Sequence, residues 1–181
     1  MEPVYTGEAA IGAVLPIWLS ARQSPLLIVG EGNTLVLLDE KFNNVASLRG
    51  HKNNIMYLCF RNSWVYSADC AGVANVWDAQ DDFKWIQSLK CQAGNMFTTF
   101  CVSVHGSKMI GAASVGRFNF LNVWDSSTLL FKSAVDDVDP RGTFSSVFLH
   151  NGDCSADSKS MDCDTVLLGG YNAVHAYIAG D

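Results

Sequence analysis

Charge is scarce in this chain, and positive charge scarcest. Of 181 residues 17% are charged, and 12 Lys and Arg face 18 Asp and Glu, leaving a formal net charge of −6. A field of that sign repels phosphate backbones, so nucleic acid is not an expected partner. Proline is rare, at four residues, and no Asn-x-Ser/Thr sequon occurs. None of the six cysteines (Cys59, Cys70, Cys91, Cys101, Cys154, Cys163) belongs to a Cys-x-x-Cys pair, which excludes a zinc ribbon or a thioredoxin-like redox motif. A chain of this length needs no disulfide staples, so buried free thiols are expected. The apolar run 9–21 is too short to span a bilayer, and Glu2 and Glu8 precede it where a secretory leader carries Lys or Arg. The expectation is an intracellular protein without a membrane segment. Nor does an apolar i, i+3, i+4, i+7 pattern persist for ten residues anywhere, which argues against internal helices.

What the chain does have is apolar residues (49%), 15 Gly, ten Phe and five Trp, the composition of short aromatic-rich strands joined by tight turns. It also repeats itself. Trp77-Asp78 and Trp124-Asp125 lie 47 residues apart, each preceded by the same order of elements: apolar strand, polar turn, strand of small residues, Gly-containing turn, apolar strand. The first copy is read at 55–60, 64–68 and 73–77, the second at 97–104, 109–114 and 119–124. Two weaker copies flank them, one upstream ending in Leu38-Asp39 and one downstream that has no Trp and carries a long insertion at 151–164. Segments 44–48, 85–89 and 129–134 suit an outer fourth strand in the first three copies.

Four strands recurring every ~40–45 residues is the period of a propeller blade. Gly50-His51, Ser67, Gly72 and Trp77-Asp78 follow one another within a single such period, and the chain resembles the WD-repeat family on those residues. The second copy keeps Ser114 and Trp124-Asp125 without a Gly-His before it. The resemblance implies an all-β, propeller-like array of about four four-stranded antiparallel blades, at 8–49, 50–90, 91–135 and 136–181, within one domain. Residues 3–7 could supply a closing strand. Two readings follow: that strand closes a small four-bladed ring, or, since rings of this family favour seven blades, the array is an incomplete ring that a further chain or segment completes, and the resemblance favours the second.

In that family a His, a Ser or Thr, an Asp of the inner turn and the Trp form a hydrogen-bonded set. His51, Ser67 and Trp77 fit three of those places, with Asp78 and Asp125 completing the Trp-Asp pairs as structural residues. The Asp place falls at Ala71, with Asp69 two residues early, so the set is expected to be incomplete and its blade looser. In the next copy Phe118 holds that place, and an aromatic ring is expected at a loop tip.

Residues suited to chemistry are few. Around Ser114 the run 112–116 imitates a nucleophile elbow, but a strand rather than a helix is read after it. No two of His51, His105, His150 and His175 stand at metal-ligand spacing. Within the insertion, Asp153, Ser155, Asp157 and Asp164 occupy positions one, three, five and twelve of a calcium-loop spacing; Ser158 stands where the loop's Gly belongs, and a flexible acidic loop is the expected reading. No cofactor is expected. The function implied is a non-enzymatic protein-interaction scaffold, with Lys52, Asn53, Arg117 and Phe118 on one loop face as the candidate binding residues. Two alternatives are a propeller hydrolase or lactonase with a channel metal, and a truncated chain without independent function.

Overall fold

A computed structural model of the chain describes residues 5–20, 24–91, 96–102, 108–115, 118–125, 128–136, 146–151, 164–170 and 173–179. Every regular element among them is a β-strand, and they fall into four antiparallel sheets. The first contains β1 (Ile11–Ile17), β2 (Leu26–Glu31), β3 (Thr34–Leu38) and β4 (Asn44–Arg49), in that order across the sheet. The second contains β5 (Ile55–Arg61), β6 (Trp64–Asp69), β7 (Val73–Asp78) and β8 (Lys84–Lys90). The third contains β9 (Met96–Val102), β10 (Lys108–Val115), β11 (Phe118–Asp125) and β12 (Phe131–Asp136). The fourth has three strands among the described residues, β13 (Ser146–Asn151), β14 (Asp164–Gly170) and β15 (Ala173–Ala179). The chain divides into two compact units, Met1–Lys90 and Cys91–Asp181, each holding two of these sheets.

Turn chemistry explains why successive strands pair as meanders. Asn62 and Ser63 both take positive φ (49° and 67°) in the two-residue link from β5 to β6, a backbone twist that matches that of the strands on either side. Gly72 at φ 80° closes the three-residue link from β6 to β7. The sheets also share irregularities. A register shift interrupts the first pairing of each four-stranded sheet, at Ile11/Ala13, Ile55/Tyr57 and Ala112/Ala113. Another falls at the end of each third strand, at Leu37/Leu38, Val76/Trp77 and Val123/Trp124. Bulges repeated in place increase the local twist in the same way each time.

In the first unit, β2 and β3 bury both faces, while the outer β4 alternates exposed and half-buried positions. One face supplies Ile28, Leu35 and Leu37 to a core shared with Ile55, Val65 and Trp77 of the second sheet and Phe83 of its β7–β8 link. Each such side chain contributes roughly 1.5–3 kcal/mol on full burial. The other face of the first sheet carries Val29, Val36 and Leu38, with Tyr5 and Leu27 packed against them. The two sheets approach closely where β1 runs beside β5: a Cβ on Gly12 would lie 2.0 Å from the Ile55 carbonyl oxygen, so only glycine fits there. In the second unit β13 likewise runs beside β9. No helix among the described residues is long and apolar enough to cross a membrane.

Candidate functional site

The second sheet is tied together by a buried polar chain that begins just before β5. His51 places its Nδ1 3.1 Å from Asp69 Oδ2 and its Nε2 2.7 Å from Ser67 Oγ. Trp77 Nε1 donates to the same Ser67 oxygen at 2.9 Å. Burial pushes the His51 pKa below its ordinary value, against the opposing pull of the Asp69 carboxylate. A neutral imidazole satisfies the geometry: Nδ1–H donates to Asp69, and Nε2 accepts from the Ser67 hydroxyl, which accepts in turn from the indole. Gly50 leaves room for this arrangement, because a Cβ there would meet the Trp77 ring at 3.0 Å and Asn75 Nδ2 at 3.3 Å.

The set is therefore complete, and the expectation of a vacant Asp place at Ala71 is corrected. Asp69 ends β6 and divides its two oxygens between two tasks. Oδ1 accepts from the backbone N–H of Ala71 (2.9 Å) and of Val73 (3.1 Å), which shapes the turn, and Oδ2 reaches His51. A carboxylate at the strand end can serve both because the turn folds back over it. Ser, His and Asp in hydrogen-bonded series have the composition of a hydrolytic triad, but Ser67 is 0% exposed and its oxygen is engaged by the Trp77 indole. No substrate carbonyl can approach it, so the geometry holds the sheet together and does not activate a nucleophile.

The Asp of each Trp-Asp pair serves as a turn cap. Asp78 Oδ1 accepts from Gln80 N at 2.9 Å and Asp125 Oδ1 from Thr128 N at 2.8 Å. Asp39 does the same for Lys41 and Asn43, both at 2.8 Å, and those bonds with the Asn43 amide hold its carboxyl below the usual range. Trp124 is buried, with the rings of Phe100 and Phe131 6.4 Å and 6.2 Å from its own. Ser114 stands in β10 opposite Asn119 and Met96. Phe118 is not at a loop tip: it is the first residue of β11 and pairs with Val115. Arg117 lies outside the described residues, as do Asp153, Ser155 and Asp157, while Asp164 is the first residue of β14, opposite Asn151. No group of three or more His, Cys, Asp or Glu among the described residues could hold a metal ion.

Two features escaped the sequence reading. The first is Glu31, which ends β2 as Asp69 ends β6. Its carboxylate accepts from the Tyr5 hydroxyl at 2.6 Å, from Ala9 N at 2.9 Å and from Glu8 N. These bonds hold the Glu31 carboxyl below its ordinary range despite burial, and they push the Tyr5 phenol up to about 12. Residues 5–7, within the segment read as a closing strand, are not in a strand. The second feature is a cleft of about 690 Å³ in the first unit, where β1 ends beside the β5–β6 and β7–β8 links. Leu19, Ala79 and Phe83 are its buried floor, with Phe60 half-buried, and Trp18, Gln80 and Asp82 are exposed around it. Trp18 is 65% exposed. Its position inside the run 9–21 made it look like one more strand residue. Lys52 and Asn53 are exposed on the bend leading into β5.

No protein-family profile matches the sequence. No curated protein matches it either. Solved structures do match its fold. The C-terminal WD40 domain of Sif2 superposes with a TM-score of 0.69 at 14% identity, covering 98% of this chain and 48% of that one. A chain of the mitotic checkpoint complex gives 0.66 at 13% identity, covering 96% of this chain and 49% of that one. The computationally designed Ika4 protein gives 0.65 at 18% identity, with 99% of both chains covered. The chain thus has a WD-repeat, propeller-like fold and spans about half the length of the Sif2 domain. Identities this low speak to the fold alone.

Proposed function

We propose that this chain is a non-enzymatic protein-interaction scaffold of the WD-repeat type. The observation that carries the reading is the contrast between its interior and its rim. The polar groups arranged for chemistry, His51, Ser67 and Asp69, are buried and spend their hydrogen bonds on one another, while a large aromatic, Trp18, stands exposed above an apolar floor. Exposed aromatics beside apolar pockets are the composition of interface anchors. A second surface is proposed at Lys52, Asn53, Arg117 and Phe118, of which Lys52 and Asn53 are exposed. The partners proposed are other proteins, among them whatever chain or segment supplies further blades; the match to a WD40 domain twice this length supports that. A net charge of −6 argues against nucleic acid, and an intracellular setting is proposed with it. The alternative, an enzyme with catalytic groups on innermost strands, has less support, since β1, β5 and β9 carry no Asp, Glu or His and β13 carries a single His, His150.

Selection of a displayed peptide library on the immobilised full chain tests this reading, with parallel assay of an ester and phosphoester panel. Saturable peptide binding without turnover is expected. Turnover of a panel member, or no saturable binder, overturns the scaffold reading. Binding that falls in Lys52→Ala/Asn53→Ala or Arg117→Ala/Phe118→Ala, and not in Trp18→Ala, assigns the partner to the second surface.

A further inference from the structure

We infer that the Trp18 cleft receives an arginine side chain from an extended segment of a partner protein. The inference rests on the scaffold reading and gives it a ligand chemistry. Three observations on one site converge. The floor, formed by Leu19, Ala79 and Phe83, is apolar and buried, so it favours an aliphatic stem over water. At the rim an indole stands 65% exposed, offering a π-face to a planar cation. Among the described residues, the one charged residue lining the cleft is Asp82, a carboxylate.

Among the described residues, the cations on the links beside the cleft are engaged elsewhere. Lys84 pairs with Asp81 at 3.4 Å, and the Arg61 guanidinium donates to the Phe60 carbonyl at 3.2 Å. Asp78 has turned one oxygen to Gln80 N at 2.9 Å, and Gln80 is itself held by a bond to Ser63 Oγ at 2.8 Å, so the cleft wall is already built before any ligand arrives. A guanidinium suits the three features together: its stem covers the floor, its plane stacks on the indole, and its fork donates to Asp82. A lysine would satisfy the charge without the stacking plane.

The test uses the full chain and a fluorescein-labelled blocked peptide, Gly-Leu-Arg-Leu-Gly, read by anisotropy against its citrulline counterpart. Asp82→Asn removes the charge yet suits the positive φ of 50° at that position, and the exposure of Trp18 makes Trp18→Ala harmless to folding. Thermal melting of both variants checks that point. The arginine peptide is expected to bind saturably, with the citrulline peptide and Asp82→Asn weaker by about fivefold and Trp18→Ala weaker by about tenfold. Equal binding of citrulline, indifference to either substitution, or no binding of the arginine peptide overturns the proposal. A changed sedimentation coefficient in Trp18→Ala overturns it in favour of a second copy of the chain as occupant. Library peptides that bind without a basic residue sink the arginine cleft while the scaffold reading stands; no binders at all sink both.

Discussion

The first two sheets share one backbone plan and are held by opposite chemistry. Their registers correspond: Ile11 pairs with Glu31 as Ile55 pairs with Asp69, and Leu38 pairs with Leu27 as Trp77 pairs with Val65. At matching places the second sheet has Ser67 and Trp77 where the first has Val29 and Leu38, so a hydrogen-bonded chain in one becomes an apolar cluster in the other. Four residues before the first paired position the second sheet has His51 and the first has Gly7, where a Cβ would lie 2.8 Å from the Glu31 carboxyl. The longer acid of the first sheet fills the space that the imidazole fills in the second, and takes its proton donor from Tyr5 instead. The lesson is that this backbone tolerates either a satisfied polar set or an apolar one. Mixtures of the two should be worse than either, because a buried polar group left unpaired costs more than its bond contributed.

The largest break in the comparison is His51→Ala. It leaves the Asp69 carboxylate, 1% exposed, without its imidazole partner, and Ser67 without its acceptor. The expected loss is ~3 kcal/mol in urea unfolding. A loss below ~1 kcal/mol would show that the polar chain does not hold the second sheet. Ser67→Val follows in size. It imports the first sheet's residue alone and strands both His51 Nε2 and Trp77 Nε1, at an expected ~2 kcal/mol. Adding His51→Gly and Trp77→Leu to Ser67→Val removes the other members of the chain together and leaves Asp69 with its turn bonds to Ala71 and Val73. The triple variant is expected to lose less than the sum of its single losses, and strict additivity would refute the idea that the set acts as one unit.

The sequence displayed the repeat because Trp and its following Asp have separate physical duties that recur: a buried ring and a turn cap. Trp77 and Trp124 are both buried, and Asp39, Asp78 and Asp125 all cap. What it hid are substitutions of mechanism. Asp69 stands two residues early when its place is counted along the chain, whereas the turn brings its carboxylate back to His51. Glu31 was invisible because its partner Tyr5 is 26 residues away and the sheet has no Trp to mark it. Trp18 gave no signal at all, since nothing in an apolar run says which residue a strand's last turn will leave exposed.

Acid should separate the two sheets in order. The His51 pKa is lowered from 6.5 by folding, so its contribution is whole above that pH and is lost as pH falls through the folded value. The Glu31 pKa is lowered from 4.5, so its contribution persists to more acid conditions and is lost as pH falls through its own folded value. Amide-exchange protection factors, corrected for intrinsic rates, are expected to drop in β6 and β7 before they drop in β2 and β3. The reverse order would contradict the assignment of the two locks. Tyr5→Phe should cost about 1 kcal/mol after allowance for solvent at the phenol. It should also remove the loss expected in strong alkali: the Tyr5 pKa is raised from 10.0 to about 12, so its contribution is whole below the lower value and lost through the higher.

The smallest effect tests a device common to three sheets. Just before each fourth strand a bulky residue takes a positive φ: Phe42 at 63°, Phe83 at 56° and Leu129 at 59°. Such a conformation costs roughly 1–2 kcal/mol for a residue with a Cβ. Phe83 and Leu129 are 3% and 4% exposed, so burial of the ring or isobutyl group offsets the strain. Phe42 is 40% exposed and recovers much less. Phe42→Gly is therefore expected to raise stability by about 0.5 kcal/mol, the relief of strain exceeding the burial lost. The same change at Phe83 should go the other way, because there the ring belongs to the shared core. If both substitutions destabilise, the phenyl group at Phe42 contributes more packing than its exposure implies. If neither does, the left-handed residue is fixed by its Asp-capped turn and not by what its side chain buries.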